Sequence, residues 1–436
     1  MIERNLYLQK LINAQNNGFA KIITGIRRCG KSYLLENIFR DYLLGIGARK
    51  DDIIIIDLDE IENYRLHDPL VLSEYIANLT KDKTMAYVII DEIQNVAPIF
   101  NPVFKDGKHI KAKYNEENII TFANVILSLS KKHNIDLYVT GSNSKMLSND
   151  VQTEFRGKAT NINVSPLSFE EFVTYKKEDE FKSFNDYLVY GGMPLTVLKN
   201  NDEEKREYLK SLFETTYFKD IIERYKFRKN EALDELATLL SSCVGNLINS
   251  EKLANTFRQK TKNKIDPETI SSYINAFVDS HIISEVNRYD VKGKNIIGSL
   301  KKYYFVDNGL RNARTDFVFS DEGQMVENVV YNELIYNGYS VNVGTYDNIG
   351  KDNYGHSVRN TYEIDFLAKK GTRFYYIQVC NDISSEETMK RELKPYILLN
   401  DQIQKILVVN KPIPEHRDEN GFMVIGVTDF LLRFIK

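Results

Sequence analysis

Short apolar runs alternate with longer amphipathic stretches over the first half of the chain. Ala20-Lys21-Ile22-Ile23-Thr24, Ile53–Ile56, Tyr87–Ile90 and Leu137–Thr140 are largely apolar at consecutive positions and too short for helices. Runs of this kind fit strands covered on both faces. Between them, Lys31–Leu44 places Leu34, Leu35, Ile38, Phe39 and Leu43 at helical spacing, and Val71–Leu79 does the same. This rhythm predicts a parallel α/β sheet. Pro98–Asn118, rich in Lys, Asn and Gly, breaks the rhythm and is expected to be a surface insertion.

From about Ser183 to Lys262 the pattern becomes almost purely helical. Two helices, Ser250–Lys260 and Pro267–Ser280, then precede an expected hairpin, Ile282–Tyr289 with Lys301–Val306. The hairpin connector holds Lys292, Gly293, Lys294 and Gly298. Helix, turn, helix, hairpin is the order of a winged helix. The last stretch reads as helix Gly323–Tyr336, strands Tyr339–Val343, Tyr362–Ala368 and Phe374–Val379, helix Glu386–Leu398 and strand Ile406–Val409. No repeat of 20 to 50 residues is found.

Composition narrows the class. The 436 residues suggest two to four domains, and 42 % hydrophobic residues are enough for a sizeable core. A net charge of −3 excludes a globally basic nucleic-acid binder but leaves room for a local basic patch. Cys29, Cys243 and Cys380 lie far apart, so neither a disulfide framework nor a thiolate zinc site is expected. The N-terminus shows no apolar leader and no run is long enough to span a bilayer. The expectation is a cytoplasmic protein.

The first buried strand leads into Gly25-Ile26-Arg27-Arg28-Cys29-Gly30-Lys31-Ser32, a full GxxxxGK[ST] phosphate loop. The two glycines allow the sharp turn that aims consecutive N–H groups at phosphate. Lys31 supplies a point charge to the β- and γ-phosphates, and the Ser32 hydroxyl suits Mg²⁺. ATP and Mg²⁺ are therefore the expected cofactors. A strand ending in Ile90-Asp91-Glu92 supplies the acidic half of such a site. Asp91 is expected to hold the metal through water, and Glu92 to polarise the attacking water. Gln94 either belongs to this polar cluster or caps the next helix. After the strand ending at Thr140, Ser142 or Asn143 is the candidate γ-phosphate sensor; capping is the competing reading. Candidates for the positive charge at the transition state are Arg156, Lys158, Arg27 and Arg28, each equally readable as a surface residue.

At this point the chain resembles the archaeal-type AAA ATPases that carry a C-terminal PD-(D/E)XK-like domain. The resemblance rests on residues 24–32, Ile90-Asp91-Glu92-Ile93-Gln94 and Thr140-Gly141-Ser142-Asn143. It continues through Pro166-Leu167-Ser168-Phe169-Glu170-Glu171-Phe172, Tyr190-Gly191-Gly192-Met193-Pro194, Glu327-Asn328, Glu363-Ile364-Asp365-Phe366 and Ile377-Gln378-Val379-Cys380. It implies an α/β chain: a P-loop NTPase parallel sheet with helical lid (1–225), a winged helix (226–315) and a nuclease-like domain (316–436). Lys158 departs from the Arg that the family usually carries after that glycine.

A PD-(D/E)XK site needs an acid on the first helix, an Asp on the second strand and E-x-K on the third. Here Glu327, Glu363 and Asp365 are in place, but the third position reads Gln378-Val379-Cys380. Gln is a weak metal ligand and Cys cannot replace the lysine charge. A degenerate nuclease fold used for binding or regulation is therefore expected. Any DNA contact falls to Lys252, Arg258, Lys260, Lys262 and Lys264, joined by Lys292, Lys294, Lys301 and Lys302. Their chemistry favours phosphate contact over base reading; a solvated, protein-contacting winged helix is the alternative. Two function classes follow: a nucleotide-controlled ATPase switch, or a DNA-binding or DNA-processing protein gated by ATP. A protein partner is open in either case.

Overall fold

In a computed structural model of the chain, the four apolar runs of the first half are strands and a fifth joins them. The described residues are 2–114, 116–141, 155, 157–227, 231–260, 265–318, 321–351, 356–383, 386–399 and 401–436. The chain divides into two compact units, Met1–Ser165 and Pro166–Lys436.

The first unit contains β1 (Ala20–Thr24), β2 (Ile53–Asp57), β3 (Ala86–Asp91), β4 (Ile99–Phe100), β5 (Ile119–Ile120), β6 (Ile135–Thr140) and β7 (Ala159–Asn163). Five of them form a parallel sheet in the order β2-β3-β6-β1-β7. The three central strands β3, β6 and β1 are buried along their whole length, as continuous apolar runs require. Helices Pro69–Thr80 and Phe122–Leu129 supply Leu72, Ile76, Phe122 and Ile126 to the same core as Val88, Ile90, Leu137 and Val139. Thr121 opens the second of these helices with a reciprocal cap to Asn124.

One charge sits inside the sheet. Lys21 in β1 is fully buried and ion-paired with Asp136 in the neighbouring β6. Asp136 also accepts from Tyr138 Oη at 2.7 Å and from the Asn16 N–H at 3.1 Å. A buried charge survives only when paired and bonded in this way. The expected insertion 98–118 carries β4, which pairs with β5 just beyond it, and leaves Val103 and Phe104 exposed.

The second unit begins with helices, among them Phe169–Lys176, Glu180–Tyr190, Asp202–Ser211 and Glu231–Ser242. The helices expected as a lid thus lie in this unit. Ser250–Lys260 and Pro267–Asp279 follow, then β8 (Ile283–Asp290) and β9 (Asn295–Phe305). Helix Glu322–Tyr336 leads into β10 (Ser340–Lys351), β11 (Ser357–Lys370) and β12 (Arg373–Cys380). Helix Glu386–Ile397, β13 (Gln404–Val409), β14 (His416–Arg417) and β15 (Met423–Gly426) complete it.

These eight strands make one mixed sheet, ordered β14-β15-β13-β12-β11-β10-β8-β9. The β8–β9 hairpin is therefore not a separate wing. Val343, Gly344 and Thr345 of β10 pair in parallel with Arg288, Tyr289 and Asp290 of β8. Local pattern shows a hairpin; only the long-range pairing shows which sheet owns it. Gly298, expected in the connector, lies within β9.

Two stretches that carried the family resemblance are structural devices of this unit. Ser168 and Glu171 form a capping box on helix Phe169–Lys176. Glu333 accepts the Phe169 N–H at 2.6 Å. The second stretch, Tyr190-Gly191-Gly192, folds around Asp307. The Asp307 carboxylate caps the helix Asn308–Arg314 through the Leu310 N–H at 3.1 Å and also accepts the Gly192 N–H at 2.7 Å. Gly191 adopts φ 69°, and a Cβ there would stand 2.2 Å from Asp307 Oδ1.

Candidate functional site: the phosphate loop and the strand ends beside it

The loop leaves β1 at Thr24 and runs into a helix over residues 31–45, wound as a π-helix across Leu34–Phe39. Such π-turned segments often occur at functional sites. Gly25 has φ 142° and Gly30 φ 95°, both closed to most side chains. A Cβ on Gly25 would lie 2.1 Å from the Val164 carbonyl oxygen, so that position is small because another strand end presses on it. Arg28 is also left-handed, at φ 61°. Arg27 and Arg28 are exposed, while Ile26 and Cys29 are buried. The Cys29 thiol donates to the Val164 carbonyl at 3.3 Å. Buried Arg4 holds the loop from outside, donating to Cys29 O at 3.2 Å and to Ser165 O at 2.7 Å.

Lys31 is buried, with Nζ 3.1 Å from the carbonyl oxygens of both Gly25 and Ile26. Ser32 Oγ donates to Asp91 Oδ2 at 2.6 Å. The other Asp91 oxygen accepts from the Thr140 hydroxyl, and Thr140 Oγ1 accepts the Glu92 N–H at 3.1 Å. Glu92 adopts a left-handed φ of 52°, and Gln94 donates a side-chain hydrogen bond to its carboxylate. Of the two readings of Gln94, membership of the polar cluster is the one its side chain adopts. The sheet explains the convergence. β1, β3 and β6 are parallel neighbours, so their C-terminal ends bring residues 25, 91 and 140 to one edge.

Residues around Asp91 concentrate negative charge. Burial pushes the Glu36 carboxyl up to about 7, with further upward pressure from Asp91, Asp57 and Glu60. The donors here are hard oxygens, a hydroxyl and a carboxylate, the set that suits Mg²⁺. Among the described residues no three His, Cys, Asp or Glu side chains are grouped to hold a metal by themselves. Mg²⁺ commonly relies on one or two protein groups plus water and phosphate, so the residues present fit it.

Sequence reasoning missed Thr140, Arg4 and Glu36. Thr140 shows only in the register, where Val139 lies opposite Ile90 in adjacent strands. Ser142, Asn143 and Arg156 lie outside the described residues. Lys158 is a correction. It immediately precedes β7, whose first residue Ala159 pairs with Ala20 at the start of β1. The phosphate loop follows the other end of that strand, about 16 Å away for five residues, so Lys158 cannot supply a charge there in cis.

In the second unit, Glu327 on helix Glu322–Tyr336 and Glu363 and Asp365 on β11 are brought together, around Lys302 of β9. Lys302 Nζ lies 2.8 Å from Glu327, 2.7 Å from Glu363 and 3.2 Å from Asp365. Gln378 Oε1 is 3.4 Å from the Asp365 N–H, and its amide donates to Glu392 at 3.2 Å. Cys380 is engaged elsewhere. Its thiol donates to Asp382 O at 3.0 Å and burial pushes its pKa up to about 11. Lys302 is thus no part of a basic surface, as the sequence had suggested, and Lys301 is paired with Glu285 at 2.5 Å. Strand alternation sends the two lysines to opposite faces, one inward and one onto Glu285, its diagonal neighbour on β8. Lys252 and Arg258 are exposed on their helix, and Lys292 and Lys294 are exposed beside the hairpin turn. Lys262 and Lys264 lie outside the described residues, as does the side chain of Lys260.

A parallel sheet of this order, a glycine-turned GKS loop and an acidic strand end beside it define a P-loop protein of the AAA class. Residues 17–173 match the family described as AAA domain, and residues 181–320 match a domain of unknown function (DUF8612). An uncharacterized protein of Haemophilus influenzae is 30 % identical over 442 residues, covering 99 % of this chain and 99 % of that one. The chain belongs to the family of that protein, an AAA domain joined to a domain of unknown function. A second relative, the uncharacterized protein MJ1544 of Methanocaldococcus jannaschii, is 28 % identical over 94 % of this chain and 84 % of its own length. Among solved structures, Aeropyrum pernix ORC2 has a TM-score of 0.36 at 12 % identity, covering 75 % of this chain and 91 % of that chain. Aquifex aeolicus DnaA bound to AMPPCP has a TM-score of 0.29 at 15 % identity, covering 63 % of this chain and 87 % of that chain. Among the described residues no helix is long and apolar enough to cross a membrane.

Proposed function

We propose that this chain is a Mg²⁺-dependent ATP hydrolase that works as a nucleotide-controlled switch on the segments following its AAA domain. The observation that carries the reading is the meeting of Ser32, Asp91 and, through Thr140, Glu92 at one edge of the sheet. The N–H groups of residues 25–32 and the Lys31 charge would hold the phosphates. Ser32 would bind Mg²⁺ directly and Asp91 through water. Bound there, the metal supplies charge neutralisation for the transferred phosphoryl group. Glu92 accepts a proton from the attacking water, and the bonds from Thr140 and Gln94 fix where its carboxylate stands. Three working parts are proposed: the ATPase module with lid (1–225), a helical segment (226–315) whose closing hairpin is built into the terminal sheet rather than standing as a wing, and a degenerate nuclease-like segment (316–436). ATP turnover of the full chain, wild type beside Glu92→Gln, tests this. A variant that hydrolyses normally would sink the base assignment.

The exposed Lys252 and Arg258 favour a second reading, in which ATP gates contact with DNA. Phosphate-directed binding must weaken steeply with salt. DNA anisotropy at low and moderate salt, with and without ATP, decides it. No salt-sensitive binding and no effect of DNA on turnover would remove this reading.

A further inference from the structure

Three carboxylates converge on one ammonium inside the second unit. Glu327 comes from a helix, Glu363 and Asp365 from β11, and Lys302 from β9, a strand at the edge of the same sheet. The ammonium donates hydrogen bonds to Glu327 at 2.8 Å and Asp365 at 3.2 Å, and Glu363 stands in ion-pair contact at 2.7 Å. The lysine is 1 % exposed, so no water shell shares the charge. The arrangement is braced from several sides. Tyr304, two residues along on the same face of β9, donates to Glu327 at 2.6 Å. The Val379 N–H donates to the far oxygen of Asp365 at 2.9 Å. Gly245, at φ 74°, closes over Glu327; a Cβ there would stand 2.9 Å from its Oε2.

Carboxylate oxygens are the kind of donor that a hard divalent cation takes, although as they stand around the lysine these three are not grouped to hold one. The ammonium lies 2.7–3.2 Å from an oxygen of each of the three acids, so its charge already offsets part of theirs and its bulk fills the point on which they converge. The lysine also belongs to the hairpin that precedes the other strands, so its charge ties β9 to the helix and to β11. We propose that the Lys302 ammonium is the resident cation of this carboxylate cluster and keeps it closed to divalent metal. The three acids then act as a joint between hairpin and terminal strands, not as a metal centre. This goes beyond the ATPase reading and does not depend on it.

The test is Mn²⁺ binding to the full-length, nucleotide-free protein, read from the paramagnetic signal of free Mn²⁺. Wild type, Lys302→Met and Lys302→Met/Asp365→Asn share an unaltered phosphate loop, so its contribution cancels. Lys302→Met should bind one more Mn²⁺ per chain than wild type at about 0.1 mM metal, and the double variant should lose it. If a folded Lys302→Met binds no more than wild type, the proposal fails. It fails equally if wild type itself holds an Mn²⁺ that Asp365→Asn removes. Should Lys302→Met not fold alone, Mn²⁺ must restore its cooperative melting, and no restoration overturns the proposal.

Discussion

The Ser32 hydroxyl stands 2.6 Å from an Asp91 carboxylate oxygen, although 59 positions separate them in the chain. One residue lies in the first turn of the helix after β1 and the other ends β3, and the parallel sheet makes them neighbours. Lys31 and Ser32 should therefore fail differently. Lys31→Ala should weaken binding of a fluorescent ATP analogue at least about tenfold, since it deletes the loop's buried positive charge. Ser32→Ala should keep nucleotide binding in EDTA and lose the gain that Mg²⁺ gives.

Thr140 holds two acids at once, through Asp91 and the Glu92 N–H. Thr140→Val should lower kcat by roughly tenfold or more while the nucleotide Kd changes little, because the effect lies in positioning. Thr140→Ser should restore most of the rate. Glu92→Gln should lower kcat by about 10²–10⁴ with binding intact. Steady-state turnover beside equilibrium binding separates these outcomes.

Gly191 faces the Asp307 carboxylate at φ 69° with no room for a methyl group. Burial pushes the Asp307 carboxyl up to about 6, against the N–H bonds of Gly192, Leu310, Gly309 and Met193 that hold it down. Gly191→Ala should cost about 2 kcal/mol or more, from strain and displaced bonds together. Denaturant melts with an unchanged slope would show the loss as a lower midpoint.

Glu333 sets a pH dependence. Burial pushes its carboxyl from the ordinary 4.5 up to about 8, against the pull of the Phe169 N–H. The folded state thus keeps a proton that the unfolded chain has lost. The stabilisation from this group is complete below about pH 4.5 and is lost as pH rises through about 8. Glu333→Gln keeps an acceptor for the Phe169 N–H and removes the titration. Its melting temperature should fall less than that of wild type between pH 6 and 8.

Helix Ser250–Lys260 and strand β1 have the bounds their local pattern predicts, while β3 extends it by one residue at each end and β6 by two at its start. Their apolar runs and caps are local, so neighbouring residues suffice to specify them. The phosphate loop was legible for the same reason: its chemistry lies within eight consecutive residues. β7 was not legible. Ala159–Asn163 is an edge strand with a mixed face, and its pairing with β1 rather than its composition makes it a strand.

Sequence alone determined the parallel sheet, the loop at its edge, the acid pair at Asp91 and Glu92, and the carboxylates Glu327, Glu363 and Asp365. Tertiary structure decided what stands beside them. It put Thr140 between the acids of the first unit, moved Lys158 to the end of its sheet away from the phosphate loop of its own chain, and drove Lys302 from an expected basic surface into a carboxylate cluster. A motif records the chemistry of consecutive residues. A charge brought from another strand follows from register and sheet order, which no local window of sequence contains.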